Sequence, residues 1–132
     1  MQETRRARLQ SAIQEKLSVI ISREVKDPRI PQITVTSVEL TQDASQATVY
    51  VAIFGGAARE NGRELSEKEA KQRMKDCIAG LSSASGFMRR HLARAIEIRQ
   101  IPSLIFKEDR GIENVSRVHE LLKEISSDTK KP

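Results

Sequence analysis

The chain has 132 residues, with 23 Lys and Arg against 18 Asp and Glu, for a formal net charge of +5. That length suits one domain able to bury a core without disulfides or metal. One cysteine (Cys77) and two histidines (His91 and His119) exclude an internal disulfide, a cysteine zinc cage and a His-rich metal site.

No apolar run approaches the ~18 residues of a transmembrane span. The start, Met1-Gln2-Glu3-Thr4-Arg5-Arg6, lacks the apolar core of a signal peptide. A cytoplasmic protein with no membrane contact is therefore expected. A basic chain poor in aromatics fits a binder of phosphate backbone better than a metalloenzyme.

In chain order, residues 4–25 read as an amphipathic helix. Leu9, Ile13, Leu17, Ile20 and Ile21 recur at steps of three and four, one face of a 3.6-residue period. Asp27-Pro28 ends it, because the residue before proline is pushed out of the helical region. Ile33-Thr34-Val35-Thr36 alternates as a half-buried strand does. Val38 and Leu40 continue the apolar set with shifted parity, which predicts a bulge near Thr36-Ser37. Thr41–Ser45 is turn chemistry. Ala47, Val49, Val51 and Ile53 then alternate with Thr48, Tyr50, Ala52 and Phe54, predicting an antiparallel hairpin.

Residues 55–63 hold three glycines among polar residues and are expected to form a mobile loop. Ser66-Glu67-Lys68-Glu69 has capping-box spacing. The helix it opens carries Ala70, Met74, Cys77, Ile78 and Leu81 on one face. Five small residues, Ser82–Gly86, interrupt it. A further helix follows with Phe87, Met88, Leu92, Ala95 and Ile96 on one side, and Arg90 and Arg94, four apart, lie roughly opposite the centre of that apolar side. A third strand is expected to begin at Glu97-Ile98-Arg99 and to include or bracket Ile101–Phe106, at a sheet edge or bulged at Pro102, which cannot donate to a ladder. Ile112, Val115, Val118, Leu122 and Ile125 mark a last helix over about residues 112–126, and residues 127–132 form a polar tail. Residues 1–126 are thus one domain.

The resulting α-β-β-α-(kink)-α-β order with a C-terminal helix predicts an α+β fold. It has two layers, with helices on one face of a three-stranded mixed sheet. This order resembles a type II KH domain. That fold ordinarily clamps nucleotide backbone with a Gly-x-x-Gly loop between its paired helices. Here Ala84-Ser85-Gly86 stands instead, followed by Phe87-Met88-Arg89-Arg90.

That kink resembles the ribosome-binding factor A family of bacterial small-subunit assembly factors. So do Glu24-Val25-Lys26-Asp27-Pro28-Arg29, Ile33–Leu40 with Asp43 and Ala47–Val51, and Ile101–Phe106 with Asp109. The likeness spans about residues 5–125. Ser103 departs from it, standing where the family often has an acidic residue.

The resemblance implies binding to the immature 30S subunit and to 16S rRNA around its 5′-terminal helix and the decoding-region neck. It also implies help in late maturation and 16S 5′-end processing, an association with growth in the cold, and neither cofactor nor catalysis. A monomer with no small-molecule substrate is expected.

The residues allow that chemistry. A helix starting near Gly86 offers unpaired N–H groups to a phosphate, and glycine permits close approach. The alternative is that Ser82–Gly86 only lets two helices cross tightly. Residues 84–100 carry Arg89, Arg90, Arg94 and Arg99 against Glu97, a net +3. The first ten residues carry Arg5, Arg6 and Arg8 against Glu3, a net +2. Lys68, Lys71 and Lys75 stripe the intervening helix. These residues could form an RNA-facing surface or an ordinary solvated one with intrahelical ion pairs.

Tyr50 is a stacking candidate, although a lone tyrosine on a sheet is more often packed. Cys77 reads as a small core hydrophobe, and His91 as a boundary residue that could touch phosphate. Asp27, Asp43 and Asp109 adjoin turns, where aspartate serves local hydrogen bonds. No nucleotide-binding, zinc-protease or hydrolase motif is present. A protein–protein adaptor, a small RNA-processing enzyme and a ribosome-bound stress factor are the rival readings.

Overall fold

A computed structural model describes residues 2–109. The expected helix over 112–126 and the tail 127–132 lie outside the described residues.

Helix α1, Glu3–Glu24, buries Ile13, Leu17, Ile20 and Ile21, the stripe its periodicity marks. It stops at Val25, whose backbone is extended, two residues before Asp27-Pro28. Strands β1 (Ile33–Leu40) and β2 (Gln46–Ile53) pair antiparallel. Val35 faces Val51 and Ser37 faces Tyr50, so Thr36 is the extra residue of a bulge. The bulge returns Val38 and Leu40 to the buried face beside Val35.

The bulge frees backbone carbonyls that the ladder no longer uses, and α1 satisfies them. Gln14 Nε2 donates to the carbonyls of Val35 and Thr36 at 3.1 and 3.2 Å. One turn earlier, Gln10 Oε1 accepts the Leu40 N–H at 2.9 Å. Two glutamines thus fix the helix on the irregular strand.

The β1–β2 turn is organised by Asp43. Its Oδ1 accepts from Thr41 Oγ1 (2.8 Å), Ser45 N (3.1 Å) and Ser45 Oγ (2.8 Å). These bonds favour the carboxylate, the Ser45 hydroxyl most of all, and lower the pKa from 3.8 to about 2. A depressed folded-state pKa contributes stability above the unfolded value and loses it as pH falls through the folded one. Asp43→Asn should therefore lower the melting temperature at neutral pH. The difference from the parent should shrink between about pH 4 and pH 2. Thermal melts across that range check it, and a pH-independent difference would contradict the assignment.

The segment expected to be a mobile loop is instead built. Strands β3 (Arg59–Glu60) and β4 (Arg63–Glu64) pair antiparallel around Asn61-Gly62, both with positive φ, as a two-residue hairpin turn requires. Arg73 pins it. Its Nη1 donates to the carbonyls of Gly56, Ala57 and Arg59, the last at 2.6 Å, and its Nε pairs with Glu60 at 3.3 Å. Asn61-Gly62 is the local signal for this turn that the loop reading passed over, whereas its fastening to the next helix depends on Arg73.

Helix α2, Glu67–Ser83, opens with a reciprocal capping box between Ser66 and Glu69. Helix α3, Ser85–Ala95, follows after one residue. The expected five-residue interruption is therefore only Ala84, at φ −90° and ψ 3°. Serine and alanine are tolerated in helical turns, so small side chains alone did not unwind the segment.

Strand β5, Ser103–Glu108, pairs parallel to β2 and makes the sheet order β1-β2-β5. It sits at an edge, as expected. It starts only after Pro102, so Glu97–Ile101 do not belong to it; proline supplies no N–H for the ladder. The three helices among the described residues contribute to one core with a single face of the sheet, including Leu17, Val49, Leu81, Met88 and Leu92. This is the expected two-layer α+β, KH-like arrangement, with a small hairpin inserted before α2.

Gly80 is where α2 meets the α1–β1 connection. A Cβ there would stand 2.9 Å from Ile30 Cγ1 and 3.3 Å from Asp27 Oδ2. The close approach therefore requires glycine, one turn before the kink. Gly86 is different: a Cβ there would meet nothing within 4 Å. Tight helix crossing is thus not what Gly86 serves.

Candidate nucleic-acid interface

Ala84 closes α2 and opens α3. Its N–H bonds back to the carbonyls of Gly80 (3.2 Å) and Leu81 (3.1 Å), and its carbonyl accepts from Met88 N at 2.9 Å. No side chain caps α3, since alanine has none to offer. The N–H groups at the start of α3 therefore lie at a positive helix end, where Gly86 is exposed.

Arg90 and Arg94 are exposed on α3, whose buried side holds Met88 and Leu92. Neither forms an ion pair among the described residues. Arg89 is committed differently. Its Nε donates to the Pro102 carbonyl at 3.1 Å and its Nη2 to the Ile101 carbonyl at 2.9 Å. The guanidinium ties α3 to the segment entering β5. Arg89→Met should keep the aliphatic packing and lose both bonds, at a cost of about 1–2 kcal/mol in urea unfolding. An unchanged denaturation midpoint would show that the tie contributes nothing.

The N-terminal arginines separate in the same way. Arg6 bonds to Glu3 (2.8 Å) and weakly to the Leu40 carbonyl (3.4 Å). Arg8 is exposed. Arg5 lines a cleft that also holds Arg99, Asp43 and Glu97, and it forms no ion pair among the described residues. On α2, Lys71 lies 3.6 Å from Glu67, whereas Lys68 and Lys75 have no ion pair among the described residues. The structure thus places Ser85, Gly86, Arg90 and Arg94 on α3 with Ala84 at its N-cap, Lys68, Lys71 and Lys75 on α2, and Arg5, Arg6 and Arg8 on α1.

Tyr50 is half-buried on the sheet face opposite the core, paired across with Ser37 and Lys107. His91 is half-buried with its ring 4.4 Å from that of Phe87, tilted by 51°. Cys77 is fully buried. Burial pushes its thiol up to about 11, against the opposing pull of Arg73. Iodoacetamide at about pH 8 should leave it unmodified in the folded protein and alkylate it in denaturant; rapid native labelling would contradict this burial. No three His, Cys, Asp or Glu side chains gather as a metal set among the described residues. No described helix is long and apolar enough to cross a membrane.

The α-β-β-α-α-β element order is the one the family resemblance implied, with the break between α2 and α3 narrowed to Ala84. The sequence model of the family described as ribosome-binding factor A matches residues 5–122. The chain belongs to the ribosome-binding factor A family. A relative with that name from Brevibacillus brevis is 36% identical over 131 residues, covering 99% of this chain and 97% of its own. The crystal structure of ribosome-binding factor A from Thermus thermophilus aligns with a TM-score of 0.61 at 28% identity, over 78% of this chain and 93% of that one. A homology model of the Thermus thermophilus ribosome binding factor A, fitted into a cryo-EM map of a 30S complex, aligns with a TM-score of 0.50 at 27% identity. It covers 80% of this chain and 92% of that one. These structures share the fold described above. Arg73, Gln14 and Gly80 escaped sequence reading because their partners lie on other elements.

Proposed function

We propose that this protein binds the immature 30S subunit through 16S rRNA and assists its late maturation, 5′-end processing included, without catalysing a reaction. The observation that carries the reading is family membership over nearly the whole chain, together with a relative placed on the 30S subunit. The cationic face of α3 and the uncapped start of that helix support it, because both suit phosphate.

Arg90 and Arg94 make the main phosphate contacts, with Ala84, Ser85 and Gly86 presenting backbone N–H groups. Arg5, Arg6, Arg8, Lys68, Lys71 and Lys75 add long-range attraction. Arg89 contributes by holding the segment before β5 against α3, with three of its five N–H groups left for other partners. By favouring one rRNA conformation over its competitors, the bound protein shifts a folding equilibrium of the subunit. It works in the cytoplasm, as a monomer, and the family's link to cold growth applies to it.

The test is co-sedimentation with mature and immature small subunits over a salt series. Preferential association with immature particles that weakens steeply with salt supports the reading. Equal binding to mature particles favours a stress factor. Salt-insensitive binding favours a protein-docking adaptor.

A further inference from the structure

We infer that the cleft beside the kink receives a single unstacked base of the bound RNA, and that Glu24 selects guanine there. This rests on the RNA-binding reading above and goes beyond it to sequence preference.

The cleft is about 330 Å³ and lies between the end of α1, the connection to β1, and Ala84. That is the low end of small-ligand pockets. Val25, Ala84 and Phe87 supply apolar walls, and Glu24, Lys26 and Ser83 a polar rim. Phe87 is half-buried and its ring rests against His91 at 4.4 Å, so little freedom is lost when a base stacks on it.

Phe87, Arg90 and Arg94 stand at i, i+3 and i+7, one row along α3. The cationic row therefore starts at the cleft. A base at the head of the row would leave its neighbouring phosphates running past both guanidinium groups. An aromatic face joined to a cationic track is the pairing that single-stranded RNA recognition uses.

The rim decides which base. Asp27 also borders the cleft, but both its oxygens accept from Arg29, at 2.9 Å from the backbone N–H and 2.7 Å from Nη2. Glu24, the last residue of α1, is exposed and forms no ion pair among the described residues. A carboxylate only accepts hydrogen bonds. Guanine alone among the four bases presents two adjacent N–H donors, N1–H and the 2-amino group, to a carboxylate. Lys26 on the same rim is the donor that guanine O6 needs.

The experiment uses the full chain and four labelled pentaribonucleotides, UUGUU, UUAUU, UUCUU and UUUUU, followed by fluorescence anisotropy. UUGUU should bind about tenfold more tightly than the other three. Glu24→Gln should bring UUGUU down to the level of UUUUU. Phe87→Leu, which keeps an apolar side chain in place, should weaken UUGUU severalfold by removing the stacking face. Equal affinities for all four, or no binding of any, overturns the base site. If salt-sensitive binding to immature subunits persists in that case, the broader reading survives. Loss of subunit binding in the parent protein removes both.

Discussion

Arg90→Glu with Arg94→Glu should reduce association with immature small subunits by on the order of 100-fold near physiological salt. Each arginine is exposed, without an ion pair among the described residues, and on the side of α3 away from Met88 and Leu92. The substitution turns two attractive charges into two repulsive ones at the centre of the proposed interface. Neutral replacement by glutamine should have a smaller effect and should lower the salt slope by about one unit for each phosphate that is no longer neutralised. The fold should persist, because neither side chain bonds to another of the described residues. Glutamate at position 94 costs only a few tenths of a kcal/mol, against the negative end of the helix. Co-sedimentation with a parallel urea titration separates binding from stability. A double variant that still sediments with subunits at the parent's salt dependence would move the interface off α3.

Leu17→Ala should destabilise the domain by about 3 kcal/mol, the middle of the range for a buried leucine. Leu17 is fully buried in the core that α1 shares with α3 and the sheet. Removing its branched end deletes apolar packing and leaves a void that close-packed neighbours only partly fill. Small domains hold about 5–15 kcal/mol in total, so the loss is a large fraction. The melting temperature should fall by roughly 10 °C or more. Val19→Ala, two residues away and largely exposed, should change stability by less than about 0.5 kcal/mol. Equal effects at the two positions would mean that the helix face is assigned wrongly. Because α1 also carries the glutamines that hold the bulge, the Leu17 variant should loosen β1 at the same time, visible as faster amide exchange at Ser37 and Val38.

The two expectations draw on different parts of the chain's information. The α1 stripe was legible because residues three and four apart necessarily share a face of a helix. The capping box at Ser66 and the shifted parity at Thr36 were legible for the same reason: both are rules about near neighbours. The alternation of β2 marked its buried face without any knowledge of its partners. The family motifs added the kink, the cationic third helix and their order, which periodicity alone could not have connected to a ribosome.

Only the folded chain decided which of those features are free to act. Arg89, Arg90 and Arg94 look equivalent in sequence, yet Arg89 lies within reach of two carbonyls ahead of β5 and the others do not. Gly80 and Gly86 likewise look interchangeable. One is pressed by Ile30 from fifty residues away and the other faces open space. The segment at 55–63 is polar and rich in glycine, and it became a hairpin because Arg73 collects its carbonyls. Sequence by itself determined α1, the bulged β1–β2 pair, the capped start of α2 and the family, since those depend on local periodicity and on ordered motifs. Tertiary structure decided which cations are already occupied and where a cleft opens beside them. Those facts depend on the distance between groups that the chain brings together only by folding.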